Sequence, residues 1–80
     1  MPTVLRAGAF RFVIYANDHS PPHVHVFSAD AEAKIELGRA AALPRLIENR
    51  RMKPVELAKA LALVKQHQVD LADAWSRIHG

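Results

Sequence analysis

Pro54 separates two hydrophobic periods, and that change of period limits the available folds more than any other feature of the chain. Before it, apolar residues recur at every second position. Phe10, Phe12 and Ile14 do so, as do Ala31, Ala33, Ile35 and Leu37, with Glu32, Lys34 and Glu36 between them. A period of two belongs to strands with one buried and one wet face. After it, Leu57, Leu61, Val64, Leu71, Trp75 and Ile78 are spaced 4, 3, 7, 4 and 3 apart, with Gln68 filling the gap in register. That is the stripe of an amphipathic helix. Pro54 suits the first helical position, where its missing N–H costs nothing, and no further glycine or proline occurs until Gly80. The expected fold class is α+β, an antiparallel sheet of four to five strands packed by a C-terminal helix.

The strands can be placed more closely. Thr3 to Arg6 predicts a short first strand, closed by a turn at Gly8. Phe10 to Tyr15 is aromatic and β-branched, with Arg11, Val13 and Tyr15 on the face opposite Phe12. A third strand is expected from Pro22 to Phe27, a reversal at Ser28-Ala29-Asp30, and a fourth strand from Ala31 to Leu37. Arg39 to Leu43 has helical propensity that Pro44 cuts, and Arg45 to Asn49 reads as a fifth, edge strand. One domain over residues 1–80 follows, with the sheet in 3–48 and the helix in 54–79. About 26 helical residues would span roughly 39 Å. A small sheet cannot cover that length, so the helix is expected to break near 66–69 or to project toward a partner.

Composition narrows the function classes. Without cysteine there is no disulfide framework and no thiolate zinc site. No run of 18 apolar residues occurs and the first residues lack a signal-like apolar stretch, so a cytoplasmic location with no membrane attachment is expected. The formal charge of +3 lies before Pro54, in Arg6, Arg11, Lys34, Arg39, Arg45, Arg50, Arg51 and Lys53. A basic half suits RNA or an acidic protein as partner. The helical stripe also offers a seam for a homo-oligomer.

Chemistry concentrates in Asn17-Asp18-His19-Ser20-Pro21-Pro22-His23-Val24-His25-Val26. The prolines stiffen the connector, and alternation after them puts His23 and His25 on one sheet face with His19 at its rim. One expectation is metal-independent RNA cleavage. In it His23, His25 and His19 supply acid and base, Lys34 joins them as a catalytic cation, and Arg11 helps hold the phosphate. Asp18 would orient a histidine, and Tyr15 or Phe27 would stack a base. A second is a zinc-like site of His19, His23 and His25, completed by Asp18. A third is a module that binds an acidic protein or RNA without chemistry. A fourth is structural, with the histidines satisfying loop carbonyls. His67 and His79 read as solvated surface and Trp75 as a sheet-packing anchor. Access depends on the helix: over the Phe10, Phe12 and Ile14 face it leaves the histidines open, and over the Phe27 face it makes them core.

The histidine block resembles a bacterial family catalogued as domain of unknown function 4160. Met1 to Arg6, the strand Phe10 to Tyr15, Ala33-Lys34, the helix from Pro54 and Trp75 join in the likeness. It covers nearly the whole chain, and the alanine-rich Arg39 to Asn49 departs from it. The resemblance implies a small bacterial or phage protein encoded beside a second small domain. That arrangement is similar to a toxin–antitoxin pair, with this chain as the toxin and a small antitoxin-like protein as its partner. It assigns no catalytic residue.

Overall fold

A computed structural model describes residues 3–38 and 42–79. Five strands follow in order: β1 (Thr3–Ala7), β2 (Phe10–Val13), β3 (His23–Ser28), β4 (Ala31–Glu36) and β5 (Arg45–Arg50). Each pairs antiparallel with the next, so the sheet is a meander in sequence order. Directly opposed residues share a face. Phe12, Val26 and Ala33 are opposed across β2, β3 and β4 on one face. Val13, His25, Lys34 and Glu48 form the equivalent row on the other, beside the row Arg11, Phe27, Glu32 and Arg50. Between β4 and β5 the register shifts: Lys34 opposes Glu48 while Ile35 opposes Leu46. Ile47 is thus the extra residue of a bulge and stands exposed.

Two helices, α1 (Pro54–Gln66) and α2 (Gln68–His79), follow the sheet. They cover the Phe12 face, where Phe10, Phe12, Ile14, Val24, Val26, Ile35 and Leu37 form one core with Ala60, Val64, Leu71, Ala74 and Trp75. Of the helical stripe, Val64, Leu71 and Trp75 are buried in this core, and Leu57, Leu61 and Ile78 pack half-buried against it. Each fully buried large aliphatic or aromatic side chain contributes about 1.5–3 kcal/mol. The expected break falls at His67, next to the buried Gln68. That buried side chain donates from Nε2 to the Leu37 carbonyl at 2.7 Å and the Ala42 carbonyl at 3.0 Å. A polar residue occupies a stripe position because the β4–β5 connection leaves carbonyls there that need a donor. At the start of α1, Glu56 accepts the Lys53 N–H at 3.1 Å, ahead of Pro54.

The five strands lie close to the expected ones. β2 stops at Val13 rather than Tyr15, because the Tyr15 N–H is taken by the Asp18 carboxylate at 3.1 Å instead of by a neighbouring strand. Of the segment with helical propensity, Arg39, Ala40 and Ala41 lie outside the described residues. No helix among the described residues is long and apolar enough to cross a membrane.

Candidate metal centre

The site is built where β2 hands over to β3. Asp18 closes the turn with two bonds to Tyr15: its N–H donates to the Tyr15 carbonyl at 3.1 Å, and its carboxylate Oδ2 accepts the Tyr15 N–H at 3.1 Å. This turn lies against the histidine face of the sheet. The chain then passes through Ser20–Pro21, a cis peptide, to Pro22, whose carbonyl accepts the Leu37 N–H at 3.0 Å. The proline connector is thereby pinned to the end of β4.

His23 and His25 project from β3 toward Asp18. The Asp18 Oδ2 atom lies 3.5 Å from His23 Nε2 and 3.3 Å from His25 Nε2. Each ring's other nitrogen is engaged as well. His23 Nδ1 is 2.8 Å from the Pro21 carbonyl oxygen, and His25 Nδ1 is 3.0 Å from Glu32 Oε2. Each ring thus meets an acceptor at both nitrogens; in the Nδ1–H tautomer it donates to Pro21 or Glu32. In the neutral rings, both Nε2 lone pairs are then directed at a carboxylate.

In that tautomer three electron-rich atoms converge with no proton between them. Either the imidazoles become imidazolium, at the cost of holding positive charge in a nearly closed site, or a cation sits among them. Donors about 2.0–2.1 Å from a tetrahedral ion lie about 3.4 Å from one another. Two of the three spacings match that value, and one ligand atom from each residue lies within 4.8 Å of the others. The Nδ1 partners Pro21 and Glu32 are those that orient metal-binding histidines and raise their basicity. Burial pushes the Asp18 carboxyl up, but the Tyr15 N–H and the His25 and His23 imidazoles outweigh it and hold the carboxyl below its ordinary value of 3.8.

The site is less open than parity suggests. The helices do lie on the Phe10, Phe12 and Ile14 face, yet His23 and His25 are only 6% and 8% exposed. The Asp18 turn folds over them, the Tyr15 ring packs edge-on to His25 with centroids 4.9 Å apart, and Trp75 comes within 5.3 Å of His23. Trp75 is a core residue that also walls the site. His79 is not free surface: its ring stacks on Trp75 at 3.8 Å and its Nδ1 lies 3.0 Å from the Trp75 carbonyl oxygen. His67 caps the end of α1.

The remaining candidate residues are dispersed. His19 is exposed on the rim of a cleft of about 300 Å³ and lies outside the ligand cluster, in which Asp18 takes the place considered for it. Lys34 lines the same cleft, directly across the ladder from His25. Arg11 does not reach the histidines: Val13 opposes His25, and the Arg11 guanidinium lies 4.9 Å above the Phe27 ring. That contact covers one face of Phe27. Sequence reasoning missed Glu32. Its signal was the tight reversal at Ser28–Ala31, which fixes Phe27 opposite Glu32 and sets that carboxylate diagonal to His25.

No curated protein matches the chain, and no solved structure does. Residues 9–76 match the family described as Domain of unknown function (DUF4160), a span that takes in β2, the Asp18 turn, both site histidines and the Trp75 wall. With most of its length inside that match, the chain belongs to the DUF4160 family.

Proposed function

We propose that the protein binds one divalent transition ion, such as zinc, through Asp18, His23 and His25, and uses it as a Lewis acid. The observation that carries this is the convergence of two Nε2 atoms and a carboxylate, with each Nδ1 held by an acceptor of its own. Two imidazoles and one carboxylate suit borderline ions such as Zn²⁺ or Fe²⁺. Three protein ligands leave at least one position for water or substrate, as catalytic rather than structural sites do. Such an ion lowers the pKa of bound water and polarises a substrate oxygen. The test is metal analysis of untagged protein beside zinc titration calorimetry. One ion per chain is expected for wild type and none at the same concentration for His25→Ala. A wild-type stoichiometry near zero in both measurements refutes the proposal.

A toxin acting on RNA through His23 and His25 without metal is the second reading, and one observation favours it: Lys34 lies directly across from His25. Geometry supports it less well. Acid and base would have to flank a phosphate, whereas the two Nε2 atoms point at a single carboxylate oxygen and both rings are nearly buried. Digestion of RNA in excess chelator decides between them. Cleavage that survives the chelator and is lost in His23→Ala supports the metal-free toxin.

A further inference from the structure

The cleft beside the ion site contains the ligands Asp18 and His23 in its wall, together with Asn17, Ser20, Lys34 and the bulged Ile47. Lys34 forms no ion pair among the described residues. Its cross-strand neighbour Glu48 is bound instead to Arg50 at 2.9 Å. The other carboxylates of this face are engaged too: Glu32 on His25 and Glu36 on Arg45. A lysine that borders a cleft and forms no ion pair among the described residues is a ready receptor for an anion.

We infer that this cleft takes a phosphodiester, one non-bridging oxygen entering the ion's open position and the other meeting Lys34. The inference rests on the metal reading above. Charge selects the class. The two charges of the ion and that of Lys34, set against Asp18 and Glu32, leave one positive charge, which a phosphodiester monoanion balances and a dianionic monoester overfills. Asn17 and Ser20 can donate to the ester oxygens, and exposed Ile47 offers an apolar edge on which a base or sugar can rest.

The test uses the full chain loaded with Co²⁺, whose visible bands report its ligand sphere, titrated with dimethyl phosphate as the diester probe. Wild type is expected to shift those bands saturably. Lys34→Gln is expected to take up one Co²⁺ with an unchanged starting spectrum and to bind the diester about tenfold more weakly, the loss of one charge-assisted contact. Unchanged wild-type bands, or equal diester affinity in Lys34→Gln, overturn the phosphodiester site while leaving metal binding intact. Failure of wild type to take up Co²⁺ overturns both.

Discussion

Replacing Asp18 by Asn separates a metal site from a satisfied polar cluster. Asn keeps the shape and the oxygen that accepts the Tyr15 N–H, so the turn persists. It removes the charge that two imidazoles face. Without any ion, the loss of charge-assisted bonds to His25 and Tyr15 costs about 1.5–3 kcal/mol on either reading. The ion-dependent increment is what discriminates. At free zinc 100-fold above its Kd, wild type gains about 2.7 kcal/mol. For a domain of this size each kcal/mol moves Tm by about 4–8 °C, so the midpoint rises about 11–22 °C. If losing the anionic ligand weakens binding 100-fold, the same zinc adds only about 0.4 kcal/mol, and Tm rises about 2–3 °C. Calorimetric melts of both proteins, each with zinc and with chelator, give all four midpoints. Equal increments in wild type and Asp18→Asn would refute the assignment of Asp18 as a ligand. No increment in wild type would refute the ion.

Glu32→Gln keeps an acceptor for the His25 Nδ1–H but withdraws the charge behind it; zinc affinity is expected to fall about 10–100-fold with stoichiometry unchanged, by calorimetry. Acid should destabilise the metal-free protein in a defined window. Asp18 titrates lower in the folded chain than in the unfolded one, so its contribution is present above about pH 4 and lost as pH falls through the folded value. Chelator-treated Asp18→Asn should lack that acid limb in urea melts run between about pH 5 and 2. Gly38→Ala is expected to cost more than Gly8→Ala in denaturant melts. Both glycines have positive φ, but a Cβ at Gly38 meets the Ala42 and Leu43 carbonyl oxygens and Gln68 Nε2 at 3.2 Å, while none lies within 4 Å at Gly8. The backbone term of about 1 kcal/mol is shared, and the crowding that displaces Gln68 from Leu37 and Ala42 adds about 1–3 kcal/mol.

The strands and their faces were legible because a half-buried strand writes its faces in alternate residues, and Ala31 to Glu36 does so without exception. The interruption of the C-terminal helix was legible as length, roughly 39 Å of helix against a molecule whose longest extent is 33 Å. The anchoring of Gln68 beside it was not, since a glutamine in an apolar stripe shows nothing of the carbonyls it will meet from 26 and 31 residues away. Period gave the shared face of His23 and His25. Closure of that face came from the turn at Asp18, and alternation says nothing about how a loop folds back over a sheet. Asp18 was read as orienting a histidine or completing a histidine metal site, and the turn that binds its carboxylate to Tyr15 sets it between the two rings. His19, expected at the rim of the histidine face, lines the cleft there.

Placing an ion at this point has a consequence for a chain of this length. A domain of 80 residues buries a modest share of its surface and has little stability to spare. The Asp18 turn is tied to the sheet by bonds within the segment 15–25 and by Pro22 to Leu37, not by the apolar core, which lies on the other face. An ion shared by Asp18, His23 and His25 would join that turn to β3 and stabilise the half of the sheet that the helices do not cover. A purely structural ion would call for four closed ligands, which His19 could have completed from one residue away. His19 instead lines the cleft with Lys34. Asp18, His23 and His25 would then serve both roles, holding the turn in place and leaving one face of a bound ion for a substrate.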